Sequence, residues 1–262
     1  MEDLTLIAME AAVAAGEKIM EIYASDFSVE HKADDSPLTA ADKCANETIM
    51  GYLKETGIPI ISEENKEIAY AERKDWTRCW IVDPLDGTKE FVKKNGEFTV
   101  NIALVENQVP ILGVIYIPVT QQLYFTEGVA GKAFSVSMAQ CHSLEQASQN
   151  AVTIKPASIL DTPIKIVGSR SHLNNATKNF IAAIENDQPT EIVSIGSSLK
   201  FCLVAEGKAH IYPRYAPTME WDTAAGDAIC RAVGLSVIDQ QTQQPLRYNK
   251  ENLLNPHFVV SV

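Results

Sequence analysis

The chain has 262 residues, 46% of them hydrophobic, and a formal net charge of −12. Such a length supports a large core, in one big domain or two intimate ones. The acidic balance argues against gripping a nucleic-acid polymer through a basic face, and an anionic substrate fits only if cations in the site reverse the local field.

Residues 4–23 place Leu4, Ile7, Ala8, Ala11, Ala15, Ile19 and Ile22 on one helical stripe. Glu10, Glu17 and Lys18 interrupt the stretch, which has neither a basic n-region nor an apolar span of about 18 residues. It therefore reads as neither signal peptide nor membrane helix. A second helix is expected over about 40–56, with Thr39 as N-cap, Gly57 as terminator and Ile49, Tyr52 and Leu53 on the apolar face. "IPIISEEN" reads as a short buried strand ending in two carboxylates, and "RCWIVD" as another, ending at a Pro/Gly turn. From 98 to 136 the pattern becomes β-rich and mostly antiparallel, with turns at Glu106-Asn107 and Gly128–Gly131. Residues 140–163 are polar and weakly patterned. They set the expected division into an α+β part, 1–150, and an α/β part, 151–262.

In the second part, "IKIVGSRSH" predicts strand then turn, 172–185 helix, "EIVSIG" strand, "SSLKFCLVAEG" helix and "AHIYPR" strand. "WDTAAGDAICRAVG" predicts a helix closed by Gly234, and "FVVSV" a last strand. This alternation is that of α/β layering. The five cysteines form no CxxC pair and read as reduced core thiols. Trp76, Trp80 and Trp221 read as core.

The chemistry-bearing stretch is "WIVDPLDGTKEF", 80–91. Pro84 fixes φ and Gly87 permits a bend, so Asp83 and Asp86 can face one way at a strand end. A plain β-turn is the alternative for these two. An EF-hand does not fit, since position 12 from Asp83 is Lys94 rather than Glu. Several carboxylates converging in a cleft would need protons or a cation. Oxygen-only ligands favour a hard divalent ion, Mg²⁺ above all. Other acids able to converge are Glu63 and Glu64 after their strand, Glu220, Asp222 and Asp227 around a helix start, and Asp42 near Thr39. Each has a structural alternative: a solvated Glu pair, N-terminal capping by Asp222, and a capping box at Asp42.

"SPLTAAD" at 36–42, "SEEN" at 62–65, "DPLDGTKEF" at 83–91 and "WDTAAGDAI" at 221–229 together resemble the signature stretches of the inositol monophosphatase-like superfamily, in matching order over nearly the whole chain. Within it, "DGTKEF" resembles the bisphosphate-nucleotidase branch of bacterial sulfur assimilation. The resemblance implies a layered α/β/α/β/α sandwich and a Mg²⁺-dependent, lithium-sensitive phosphatase with two or three cations. Glu64, Asp83, the carbonyl of Leu85, Asp86 and Asp222 would hold them. Glu64 and Thr88 would hold the attacking water, with Asp42 as partner of Thr88. Gly87, Thr88, Ser169, His172, Ser197, Lys200 and Arg214 would meet the substrate. That substrate is a small nucleotide bisphosphate, 3′-phosphoadenosine 5′-phosphate, with its 5′-phosphosulfate analogue a further candidate. The implied location is cytoplasmic, with peripheral contact at the inner membrane left open. An inositol or sugar phosphate phosphatase is the alternative activity, and a non-catalytic metal or nucleotide sensor the alternative class.

Overall fold

A helix, α1 (Asp3–Tyr23), opens the fold, followed by β1 (Val29–His31), β2 (Pro37–Thr39) and α2 (Ala40–Leu53). The computed structural model describes residues 3–31, 37–65, 68–127, 131–158, 162–168 and 174–262. Helix α1 buries Ala8, Ala11, Ala12, Ala15 and Ile19 against α2 and the sheet beyond. Thr39 caps α2 as expected: Ala41 N donates to Thr39 Oγ1 at 3.1 Å, and Thr39 N donates to Asp42 Oδ2 at 2.7 Å. After α2 comes a 3₁₀ turn, Lys54–Thr56, stopped by Gly57 at φ +67°.

Next come β3 (Ile60–Ser62), α3 (Tyr70–Arg73), β4 (Arg78–Asp86), α4 (Thr88–Val92), β5 (Thr99–Glu106), β6 (Val109–Ile117), β7 (Gln122–Thr126), β8 (Ala133–Ser137), α5 (Leu144–Asn150) and β9 (Val152–Thr153). Strands β3 to β9 form one seven-stranded sheet in chain order, antiparallel except for the β3–β4 pair. Alternation along its central strands divides the core in two. Trp80, Val82, Val100, Ile102, Leu104 and Val114 face the α1–α2 layer. Cys79, Ile81, Ala103, Val105 and Ile115 face the other way. With both faces covered, these strands read as nearly unbroken apolar runs. The β5–β6 hairpin turns at Asn107 and Gln108, both left-handed. Gly128 lies outside the described residues.

The second half contains β10 (Ile164–Gly168), α6 (Asn175–Glu185), β11 (Thr190–Ser194), α7 (Leu199–Ala205), β12 (Ile211–Arg214), α8 (Ala224–Ala232), β13 (Val237–Asp239) and β14 (Phe258–Ser261). They build a five-stranded sheet in the order β11-β10-β12-β14-β13. Ile164 and Ile166 pack on Ile181 of α6, while Val167, Tyr212, Phe258 and Val260 face inward. Helices α7 and α8 lie between the sheets and share that inner core with Ile81, Val105 and Ile115. The layers are thus α/β/α/β/α. Contact between α8 and β6 is so close that a Cβ on Gly113 would come 2.4 Å from Ala225 O. Of the expected core residues, Trp80, Cys79, Cys202 and Cys230 are buried, whereas Trp76, Trp221, Cys44 and Cys141 are half-buried.

Two local expectations change. The helix expected from 172 is described from Asn175, where Asn174 Oδ1 accepts from Thr177 N at 2.9 Å. Strand β13 carries no strong alternation and was not anticipated; it is held by register with β14, Val237 opposite Val260.

Candidate active site

The expected Pro/Gly turn at 83–86 is a bulge within β4. Asp83 pairs with Asn101 and Asp86 with Thr99, so three residue steps on β4 face two on β5. In a regular strand, side chains three apart point to opposite faces. The extra residue brings both carboxylates to the face turned toward α7 and α8. Pro84 fits there because it has no N–H to give the ladder. The chain turns only afterwards, at Gly87, with φ +95°. A Cβ at Gly87 would meet Glu97 O at 3.0 Å, and most side chains would resist that backbone conformation.

Asp222 arrives from the turn that leads into α8. Oxygen atoms of Asp83, Asp86 and Asp222 lie within 4.8 Å of one another. Each carboxylate is aimed by a separate donor. Leu85 N donates to Asp83 Oδ1 at 3.1 Å, and Met219 N to Asp222 Oδ2 at 2.8 Å. Ser198 Oγ, fixed by Asn101 Nδ2 at 2.9 Å, stands 2.7 Å from Asp86 Oδ2 and 2.8 Å from the Asp222 carbonyl. At this spacing two charges repel by about 3 kcal/mol at an effective dielectric near 20. The repulsion raises the carboxyls' hold on protons. Burial, and then the charges of Glu63, Asp86 and Asp222, hold Asp83 well above the usual carboxylate range. Burial and then the charge of Asp86 push Asp222 up to about 8. Such a cluster asks for protons or a cation, and its all-oxygen donor set suits a hard divalent one.

The fourth acid is the neighbour of the expected one. Glu63 hydrogen-bonds Asp83 through its side chain. Strand parity explains it. Ile61 and Ile81 are register partners on the α8 side, which carries Glu63 and Asp83 onward on that same face. Ser62 points the other way, where its Oγ donates to Asn46 Oδ1 on α2 at 2.8 Å, and Glu64 lies in electrostatic range of Lys43 on α2.

Thr88 heads α4, which Phe91 anchors among Tyr23, Phe27 and Phe98 with ring centroids 4.8–5.2 Å away. Thr88 Oγ1 lies 3.0 Å from Asp42 Oδ1 and 3.2 Å from Leu85 O. Asp42, 2% exposed, thus serves as capping-box acid and Thr88 partner at once.

Beside the carboxylates lies a cavity of about 110 Å³, lined among others by Asp86, Gly87, Ser197, Lys200, Arg214 and Asp222. Lys200 is buried, and burial pushes its ammonium down to about 8. It donates to Ser197 O at 2.5 Å. Ser197 itself is left-handed, φ +45°. Arg214 Nη2 donates to Pro217 O at 2.9 Å, and its buried Nε has no partner among the described residues. Ser169 and His172 lie outside the described residues. Asp227 stays apart, paired with Arg231 at 2.7 Å. Glu220 is also apart, turned into the interior toward Lys250. Ser198 is the contributor missed by sequence reasoning. The only signal was a second serine in "GSS", and nothing in it distinguished the two.

The inositol monophosphatase family model matches residues 1–259. A 3′(2′),5′-bisphosphate nucleotidase CysQ from Escherichia coli O157:H7 is 46% identical over 253 residues, covering 95% of each chain. The crystal structure of CysQ from Bacteroides thetaiotaomicron, described as a bacterial member of the inositol monophosphatase family, superposes with a TM-score of 0.89 at 48% identity, covering 100% of this chain and 98% of that one. At 22% identity, the extragenic suppressor protein suhB of Bartonella henselae shares the fold with a TM-score of 0.78, covering 99% of this chain and 94% of its own.

Proposed function

The chain belongs to the inositol monophosphatase family, and from that premise we propose that it is a metal-dependent 3′(2′),5′-bisphosphate nucleotidase that hydrolyses 3′-phosphoadenosine 5′-phosphate to AMP and phosphate. The observation that carries this reading is the set of three carboxylates within 4.8 Å beside a cavity that also holds Lys200 and Arg214. Relatives at 43–46% identity bear the nucleotidase name.

Asp83, Asp86, Asp222 and the Leu85 carbonyl, with Glu63 in the place expected of Glu64, would hold two or three Mg²⁺. Bound there, the ions would lower the pKa of a water and offset charge on the phosphoryl oxygens. The protein's own groups do the rest. With its proton given to Asp42, the Thr88 oxygen keeps lone pairs to accept from a water and aim it. The water oxygen bonds phosphorus as the bond to the ribose 3′ oxygen breaks; the water sheds a proton to solvent and the ribose oxygen takes one up from solvent, leaving as a hydroxyl. Arg214, with its orphaned Nε, suits the 5′-phosphate. Lys200 adds positive charge from behind and ties down the Ser197 loop. Gly87 leaves space at the cavity wall. A cytoplasmic location accompanies this reading; no helix among the described residues is long and apolar enough to cross a membrane.

The test is phosphate release from 3′-phosphoadenosine 5′-phosphate and from inositol 1-phosphate, side by side, with Mg²⁺ and with chelator. Faster turnover of the nucleotide, abolished by chelator, is expected. A preference for inositol 1-phosphate would replace the substrate assignment, and no release from either would point to the sensor class.

A further inference from the structure

Glu220 stands two residues before Asp222, yet its carboxylate is fully buried and points away from the site. It is enclosed by the loop between β13 and β14. Asn249 N donates to Glu220 Oε2 at 2.5 Å, Lys250 N to Oε1 at 3.1 Å, and the Lys250 ammonium to Oε1 at 2.5 Å. The backbone of Glu220 is held by the same loop, its N donating to Leu253 O at 2.9 Å. Asn255 completes the enclosure: its Nδ2 donates to Met219 O at 2.7 Å and to Thr223 Oγ1 at 2.9 Å. The turn carrying Asp222 therefore has little freedom of its own.

The loop is in turn fastened to the first half of the chain by Arg73, which is 2% exposed. Its guanidinium donates to Asn249 Oδ1 at 2.9 Å, Lys250 O at 2.5 Å and Glu251 O at 2.9 Å, and Asn249 Nδ2 returns a bond to Arg73 O at 2.8 Å. Arg73 ends α3, between the strand that leads to Glu63 and the strand that carries Asp83 and Asp86. A continuous hydrogen-bonded path thus joins the structure bearing three of the acids to the turn bearing the fourth. A buried carboxylate and a buried guanidinium are costly to place, and neither lines the cavity that holds Lys200 and Arg214. Their partners define a geometric task.

We propose that Glu220, gripped by the 249–255 loop that Arg73 fastens, is a positioning residue that sets the aim of Asp222 and with it the affinity of the site for divalent cations. The proposal rests on Asp222 being a cation ligand. Outer contacts of this kind change metal affinity by about 10–100-fold when removed.

The experiment titrates Mg²⁺ by calorimetry into the full chain, stripped of metal, as wild type and as Glu220→Gln, Arg73→Lys and Asp222→Asn. Thermal midpoints and KM at saturating Mg²⁺ are recorded for each. Glu220→Gln and Arg73→Lys are each expected to weaken Mg²⁺ binding about tenfold or more, with KM for the nucleotide within twofold of wild type once Mg²⁺ is saturating. If both bind Mg²⁺ as tightly as wild type while Asp222→Asn does not, the positioning role is refuted, whatever their thermal midpoints. If Asp222→Asn also binds as tightly as wild type, the ligand assignment itself falls and the proposal with it. Should Glu220→Gln not fold, Arg73→Lys, which keeps the charge and loses only the fork, decides the matter.

Discussion

Asp222→Asn should change how stability depends on pH when no metal is bound. Burial and then the Asp86 charge push the Asp222 carboxyl up to about 8 in the folded protein, far above the ordinary aspartate range. A carboxyl raised in this way holds a proton in the folded chain that the unfolded chain has already shed. Between about 4 and 8, stability therefore falls as pH rises. At about 1.4 kcal/mol per pH unit, easing off as pH nears 8, the loss from pH 6 to pH 8 is about 2 kcal/mol for this group alone. For a chain of 262 residues, that corresponds to about 4 °C in Tm. Asparagine keeps an acceptor for Met219 N and cannot ionise, so the variant should lose that much less over the same interval. The assay is thermal unfolding of chelator-treated wild type and variant from pH 6 to 9, repeated with Mg²⁺. Added Mg²⁺ should stabilise the wild type increasingly toward pH 8, since it competes with protons for the carboxylates, and should stabilise the variant less. Metal-free curves that run parallel across the range would refute the reasoning.

Glu63→Gln should lower Mg²⁺-dependent phosphate release about 100-fold or more, whereas Glu64→Gln should stay within about threefold, because only the first faces Asp83; initial rates across a Mg²⁺ series decide it, and the opposite ranking would return the role to Glu64. Thr88→Val, which keeps shape and removes the hydroxyl, should cost about 10²-fold or more in kcat with little change in KM, while Thr88→Ser should recover most of the loss; steady-state kinetics of the two separate positioning from packing. Gly113→Ala should destabilise the protein by about 2–3 kcal/mol, because the new methyl meets the Ala225 backbone oxygen at 2.4 Å; urea unfolding measures it, and an unchanged midpoint would deny the close approach of α8.

Much of this architecture was legible because periodicity reports burial. The stripe in 4–23, the Thr39 cap and the apolar runs of β4 to β7 lie where propensity and packing agree. The meeting of Asp222 with the Asp83–Asp86 corner followed from the motifs jointly, since no local rule relates residues so distant in the chain. What escaped was set by register. Choosing between Glu63 and Glu64 required knowing that Ile61 lies beside Ile81, a partnership between strands that neither segment encodes alone. The bulge escaped for the same reason: it exists only against Asn101 and Thr99 on β5. Ser198 was passed over because its place follows from the left-handed backbone at Ser197, a conformation that serine does not advertise.

Helices α7 and α8 fill the space between the two sheets, with side chains from both halves of the chain in one apolar mass. Fragments made by cutting near residue 160 would each display a wide greasy surface to water, and neither should fold when expressed alone. Mixed together, they should reassemble, and catalysis should return only in step with that reunion.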